Sequence, residues 1–427
     1  MRVAAYTLGC KVNQYDTNAM LELLQNEGFE TVAFHEPADV YLINTCTVTN
    51  TADKKSRNMI RRIHHLYPQA MICVCGCLAQ RDCEAVLAME GVGAVIGTKD
   101  RANIGKVVRE CLKGKNASAG LASFLADEAF EELSVRTSGE MTRGYLKIQE
   151  GCNNFCSYCI IPYVRGRVRS RKAAAVIHEA QALVQNGVKE VVLTGIHISS
   201  YGQDTGEKLA ELLVGLNGID GLERIRLGSL EPHLLTDEFV SAMKDLKKVC
   251  PHFHVSLQSG SDSILKKMNR KYTAEEYAHY IEIIRNYYED PAIMTDIITG
   301  FPGETETHFG ESCDFVSKIG FSRIHVFPYS QREGTPAAKM EDQVPMQIRR
   351  QRAAHLIAVG KKAEEQYIKR FLGTRQTVLF EQITEDGLAE GYTDRYLRVR
   401  AQAQIKNMGQ VLLADAKDDI IYGNLIK

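Results

Sequence analysis

Residues 151–159 read Gly-Cys-Asn-Asn-Phe-Cys-Ser-Tyr-Cys, which sets Cys152, Cys156 and Cys159 at a C-x3-C-x2-C spacing. Iron–sulfur clusters usually take four cysteinate ligands. A compact set of three therefore leaves one iron of a four-iron cluster open, to a distant fourth ligand or to a small molecule. The alternatives are chance, with 12 Cys in 427 residues, and a zinc knuckle. Structural zinc takes four ligands, commonly as two close pairs, and no second pair lies nearby.

Working outward, short apolar runs at 145–149, 190–194, 224–228, 253–257, 293–298 and 323–327 each precede a helical stretch. Six strand–helix units predict a partial (β/α)6 parallel barrel, short of the eight that close the full form. Such barrels place their chemistry beyond the carboxyl ends of the strands. The six loops there carry the cysteines, Gly195-Ile-His197, Ser229-Leu-Glu231, Gln258-Ser-Gly-Ser261, Thr299-Gly300 to Glu304, and Pro328-Tyr329. The Gly-rich fifth loop is no phosphate loop, because no Gly-Lys-Ser/Thr follows it. His197 reads as a structural histidine ahead of a proton or substrate contact. Phe155 and Tyr158 suit packing under the loop at least as well as stacking on a base.

Toward the amino terminus, runs at 3–8, 40–44, 71–74 and 94–96 alternate with helices at 17–25 and 56–66, predicting a small parallel α/β sheet. Ligands gather beyond the carboxyl ends of such strands, where Cys10, Cys46 and Cys77 fall. These form a second candidate triad. Cys73, Cys75, Cys83 and Cys111 read as buried structural thiols. Cys75 shares a strand face with Cys73 and Cys77, so parity does not exclude it as the ligand. Cys77 is preferred because it follows Gly76, where the backbone can approach closely.

The expected division is an amino-terminal domain at 1–112, a Gly/Ser/Ala-rich linker at 113–140 with an acidic patch at 127–132, a barrel domain with a connecting basic helix at 141–370, and a small antiparallel β-barrel at 371–427. The last holds 7 basic and 8 acidic residues, so its charge lends weak support to RNA binding. No run of 18 apolar residues and no cleavable signal pattern is present. The expectation is a cytoplasmic protein with no membrane partner, whose cysteines serve as metal ligands or buried thiols ahead of disulfides. Net charge is −1, yet basic residues crowd 54–62, 165–172 and 349–370. Arg165, Arg167, Arg169 and Arg171 alternate, and alternate residues of an extended segment share a side. They are the candidate phosphate track.

Leu8-Gly-Cys-Lys-Val-Asn-Gln14, Asn44-Thr-Cys46, Gly76-Cys77, Gln149 to Gly166, and Leu257 to Asp262 with Met268-Asn-Arg270 together resemble the methylthiotransferases of the radical S-adenosylmethionine (SAM) superfamily, nearly end to end. The opening is similar to the branch that modifies N6-threonylcarbamoyladenosine beside tRNA anticodons. The resemblance implies an OB-like TRAM domain at the carboxyl terminus, two [4Fe-4S] clusters, and two SAM per turnover. It also implies replacement of the C2 hydrogen of adenosine 37 by a methylthio group. An unactivated aromatic C–H offers acid–base catalysis no foothold, which makes sense of a radical route. In this reading Cys152, Cys156 and Cys159 hold the SAM-cleaving cluster, and Cys10, Cys46 and Cys77 hold the one that presents sulfur. Gln258, Ser259, Ser261, Glu231 and Gly300 are the expected SAM contacts. The superfamily's Gly-Gly-Glu run is replaced here by Thr194-Gly-Ile-His197, leaving the SAM amino group unassigned. The implied partners are the tRNA anticodon loop, an electron donor such as flavodoxin or ferredoxin, and a sulfur source, with the enzyme a monomer. Rival readings are isopentenyladenosine in tRNA, an aspartate of a ribosomal protein, or a non-catalytic iron–sulfur RNA-binding protein.

Overall fold

The computed structural model describes residues 1–114, 117–121, 124, 128–136 and 142–426. In the amino-terminal unit, Arg2–Thr7, Val40–Thr45, Met71–Gly76 and Val92–Ile96 make a parallel ladder, as expected. Glu30–Thr31 flanks its first strand. Every residue of Val40–Thr45 is buried, because apolar clusters cover both faces of the sheet. Val3, Leu42 and Ala94 pack on one side, and Tyr41 and Ile43 pack with Ile60 and Ile63 on the other. This continuous apolar run is the signature of a parallel sheet covered on both faces.

The sixth strand, Ala117–Ala119, pairs with Val92–Ile96 and corrects the linker expectation, since the sheet extends past residue 112. The described part of 113–140 is also docked. Leu133 and Val135 are buried against Tyr15, Glu131 pairs with Arg101 at 2.8 Å and Glu132 with Arg171 at 2.8 Å. Asp127, in the expected acidic patch, lies outside the described residues.

The barrel strands are Arg143–Glu150, Glu190–Gly195, Arg224–Leu227, His252–Val255, Ala292–Thr299 and Arg323–Pro328. They are parallel and follow chain order, matching the six expected. Arg224–Leu227 pairs with the second strand, and Ser229–Leu230, just past Gly228, pairs with the fourth, which joins two sheets into one curved wall. The helices outside it seal one large apolar core. Two of them start at threonines whose hydroxyls cap the first turn, Thr273 and Thr305, each completing a capping box.

The carboxyl-terminal strands Arg375–Ile383, Ala389–Thr393, Arg398–Ala401, Met408–Lys417 and Ile420–Leu425 close into a barrel. Ala389–Thr393 has no counterpart in the sequence reading, and its Ala-Glu-Gly opening, poor in β-formers, explains why. Arg398–Ala401 pairs in parallel with Ile420–Leu425, against the antiparallel expectation.

This small barrel plugs the amino ends of the large barrel's strands. Arg224 donates to the carbonyls of Thr377 (2.6 Å) and Tyr392 (2.9 Å), and Arg226 to that of Asp394 (2.7 Å). With the floor closed, the opposite ends of the strands face the amino-terminal unit. No helix among the described residues is long and apolar enough to cross a membrane.

Candidate active site

Cys10 precedes the helix Lys11–Asn26, Cys46 follows Val40–Thr45, and Cys77 opens the helix Cys77–Arg81. Three adjacent parallel strands therefore end at one place. A Cβ on Gly9 would lie 3.2 Å from Cys46 Sγ, so the backbone beside Cys10 passes directly over that thiol. Gly76 has φ +91° and ψ −159°, a region open essentially to glycine alone. A Cβ there would sit 2.3 Å from Asn44 Oδ1 and 2.6 Å from Thr45 O. Gly76→Ala is expected to cost about 1–3 kcal/mol from backbone conformation and to strip iron from this triad ahead of the other, as read by iron content and thermal unfolding. Cys75 is not part of the site, for it lies in the apolar core with Cys73, Leu42 and Ala94.

Burial pushes the Cys46 thiol up to about 12, and charge on neighbouring Cys77 and Cys10 pushes the same way. Cys77 is likewise raised by burial, opposed by Arg165. Thiols so placed become thiolates when a cationic centre binds them. The triad thus fits a metal cluster by its donor chemistry.

The second triad lies on a loop held at both ends. Cys152 N donates to Gly166 O (3.1 Å), Ser157 N to Met268 O (3.0 Å), and Asn269 Nδ2 to Phe155 O (3.0 Å). Gly151, at φ +72°, lies so close to Arg167 O that a Cβ would come within 1.7 Å of it. Burial raises Cys152 to about 11 and Cys159 to about 12, with thiolate–thiolate repulsion adding to both. Among the described residues no three His, Cys, Asp or Glu side chains converge on a single metal ion, which disfavours the zinc knuckle. A cubane needs no such convergence, since each ligand binds a different iron.

The two triads share a wall. Cys77 packs against Ile160 and Val164, directly after Cys159, and Thr98 Oγ1 donates to Val164 O at 2.6 Å. A cavity of about 220 Å3 is lined by Val48 and Thr49 beyond Cys46, by Tyr158 and Cys159, and by Gln258, Asp296, Ile298 and Tyr329 at the barrel strand ends.

Residues 2–97 match the family described as Uncharacterized protein family UPF0004, and 146–316 match the Radical SAM superfamily. The threonylcarbamoyladenosine tRNA methylthiotransferase MtaB of Bacillus subtilis is 42% identical over 96% of this chain and 92% of its own. The chain belongs to the MtaB-like radical SAM methylthiotransferases. A tRNA-2-methylthio-N(6)-dimethylallyladenosine synthase from Pelotomaculum thermopropionicum is 38% identical over 87% of this chain and 85% of its own. In fold the chain resembles the radical SAM methyltransferase TsrM from Kitasatospora setae, solved with cobalamin and a [4Fe-4S] cluster (TM-score 0.59, 14% identity, 79% of this chain and 73% of that one). As a radical SAM methylthiotransferase this chain is an enzyme that uses iron–sulfur clusters and SAM.

Of the five expected SAM contacts, this methylthiotransferase places only Gln258 on the cavity. Its φ of +71° is unusual for a side-chain-bearing residue. Two ladder bonds hold it there, Gln258 N to Asp296 O and Ile298 N to Gln258 O, each 2.9 Å. Ser259 and Ser261 are corrected. Both are buried, with Ser259 Oγ 3.3 Å from Ser312 Oγ, and the intervening Gly260 lies against the helix Glu306–Ile319. Gly300 is corrected too, for it packs on the Arg349 side chain and gives its N–H to Glu304 (2.7 Å). Glu231 is buried beside the cysteine loop and accepts both Arg270 Nη2 bonds, at 2.7 and 2.5 Å. Burial pushes its carboxyl up, but His197 and Arg270 outweigh that and hold it below the usual carboxylate range.

The candidate phosphate track is also corrected. Arg165, Arg169 and Arg171 are buried: Arg165 bonds Glu150 (2.8 Å), Arg169 the carbonyl of Arg165 (2.9 Å), and Arg171 Glu179 (2.5 Å). Residues Arg169–Ser170 pair with the end of the first barrel strand, so the arginines point inward. Arg167 alone of the four is exposed, its guanidinium 4.5 Å above the Phe155 ring. In the third basic stretch Arg349 and Arg352 are buried, the latter on Glu304 at 2.8 Å.

His197 is buried between the first barrel strand and the cysteine loop. Its N–H binds Gln149 Oε1 (2.7 Å) and its ring meets Asn154 (3.1 Å) in the cysteine loop. Tyr158 both packs on Phe301 and lines the cavity. Asn13, Asp296 and Arg270 were given no role by the sequence reading, though Asn13 and Arg270 stand inside quoted motifs. Arg270 Nη1 donates to Cys156 Sγ at 3.3 Å, a contact only tertiary structure reveals.

Proposed function

We propose that this enzyme converts N6-threonylcarbamoyladenosine at position 37 of tRNA into its 2-methylthio derivative. The carrying observation is the shared wall: Cys159 lines one cavity together with Val48 and Thr49, which follow Cys46 in the chain, and Cys77 packs against Ile160 and Val164 of the cysteine loop's continuation. In this reading the clusters and SAM supply the radical and the sulfur when bound. The chain's own residues keep the two centres adjacent, give the cavity an apolar side at Ile298, and present Gln258 and Asp296 to whatever enters. Cys152, Cys156 and Cys159 hold the SAM-cleaving cluster and Cys10, Cys46 and Cys77 the other.

The substrate assignment is supported by the printed activity of the Bacillus subtilis relative and its high coverage of both chains. The domain reading assigns 371–427 to RNA binding as a TRAM domain, with Arg167 and the exposed Lys54, Lys55, Arg61 and Arg62 of the helix Asn50–Leu66 as phosphate contacts. A one-electron donor of the flavodoxin or ferredoxin kind and a sulfur source complete the turnover.

Mass spectrometry of tRNA nucleosides from cells with and without the gene tests this. Loss of 2-methylthio-threonylcarbamoyladenosine, with its unthiolated precursor accumulating, is expected. Loss of the isopentenyl-type nucleoside instead, or of a methylthio mark on a ribosomal protein, moves the enzyme to a sister specificity.

A further inference from the structure

The amino-terminal triad is completed by a residue that the amino-terminal domain does not own. Arg165 comes from the barrel domain, is fully buried, and directs its Nε to Cys77 Sγ at 3.3 Å. Its Nη1 is held by Glu150 at 2.8 Å and Asp16 at 3.3 Å, and its Nη2 by Asn13 Oδ1. Asn13 in turn donates to Leu8 O (2.7 Å) and Thr45 O (3.0 Å). Those carbonyls lie two residues before Cys10 and one before Cys46, so a single guanidinium is bonded, directly or through one amide, to the backbone or side chain at all three thiol turns. Carboxylates and an amide occupy its other nitrogens, which aims Nε at the sulfur. A thiol accepts that bond weakly; a metal-bound thiolate, being charged, accepts it strongly.

We propose that Arg165 is a positioning residue of the cluster at Cys10, Cys46 and Cys77. It orients Cys77 and lends positive charge to a centre whose ligands otherwise come from the other domain, so this cluster is complete only when the two domains are docked. The inference rests on reading those three cysteines as ligands. Hydrogen bonds to cluster sulfurs and net charge set both potential and retention of such centres. Arg165→Lys keeps the charge but loses the planar fork that reaches Cys77 and Asn13 together.

The test uses the full-length chain with Cys152, Cys156 and Cys159 replaced by alanine, reconstituted anaerobically so that only this cluster forms, and labelled with guanidino-15N arginine. Pulsed EPR of the reduced protein should show 15N coupling that Arg165→Lys abolishes. A chelator should remove iron from Arg165→Lys about tenfold faster, as loss of one hydrogen bond to a charged group implies, and Arg165→Gln should also shift the midpoint potential downward. If Arg165→Gln fails to fold, the labelled parent and Arg165→Lys still decide. Absence of 15N coupling in the parent, or unchanged coupling and iron release in Arg165→Lys, overturns the proposal while leaving the ligand assignment intact. A parent that binds no iron at all overturns both.

Discussion

Replacing Cys10, Cys46 and Cys77 together with alanine is expected to abolish the methylthio product while SAM cleavage to 5′-deoxyadenosine continues. Replacing Cys152, Cys156 and Cys159 abolishes both. Each loss should exceed about a hundredfold, since changing only an outer-shell partner of a metal ligand already costs about 10- to 100-fold. The asymmetry follows from the position of the cavity. Tyr158, Cys159 and Gln258 border it from the barrel side, and Val48 and Thr49 from the amino-terminal side. Removing Cys10, Cys46 and Cys77 leaves in place the backbone and amide bonds that hold the barrel loop to Gly166, Met268 and Asn269. Assay of 5′-deoxyadenosine and methylthio nucleoside from the same reactions checks the split. Equal loss of both products in the first variant would mean that the triads do not divide the work.

The second large effect is on stability. Asp16→Ala is expected to cost about 3–5 kcal/mol, the range for removing one partner of a buried ion pair. Asp16 takes Arg101 at 2.5 Å and Lys147 at 2.7 Å, and Lys147 also meets Glu150 at 2.5 Å. All four side chains are at most 3% exposed, so Arg101 and Lys147 would each lose a carboxylate partner that water cannot replace. Burial pushes both carboxyls up, but the surrounding cations outweigh it: Arg101, Lys147 and Arg165 hold Asp16 below its ordinary 3.8, and Arg165, Lys147 and Arg101 hold Glu150 well below its ordinary 4.5. A depressed folded value means that the unfolded chain binds protons first. This contribution is therefore complete above about pH 5, beyond the unfolded values, and is lost as pH falls through 4.5 toward the folded ones. Because Asp16 belongs to the amino-terminal unit and Lys147 to the barrel, acid should undock the domains. Denaturant midpoints at pH 7 and pH 4 for parent and Asp16→Ala check this: the difference between the two proteins should shrink at pH 4.

The elements that repeat were readable. The short continuous apolar runs located all six barrel strands and four of the amino-terminal ones, and both candidate cysteine triads are read from strand ends plus spacing. What failed shares one cause. Arg165, Arg169 and Arg171 look alike as a surface comb and as inward ion-pair partners, because alternation fixes a side but not what covers it. Ser259, Ser261 and Gly300 stand at strand ends like Gln258, yet Ser259 and Gly260 lie against Ser312 of the helix Glu306–Ile319, Ser261 gives its N–H to Ser259 Oγ, and Gly300 lies against Arg349. Asn13 and Arg270 act across more than 30 and 100 residues of chain, respectively, on Thr45 and Cys156, distances over which local pattern carries no information. Ala117–Ala119 joins its sheet by backbone pairing, which small residues do not announce.

The claim under all of this is two separate, incompletely ligated centres beside one cavity, and iron per chain after anaerobic reconstitution measures it most directly. Two four-iron clusters predict about eight iron in the parent and about four in either triple alanine variant. About four in the parent, or no change on replacing Cys10, Cys46 and Cys77, would contradict it.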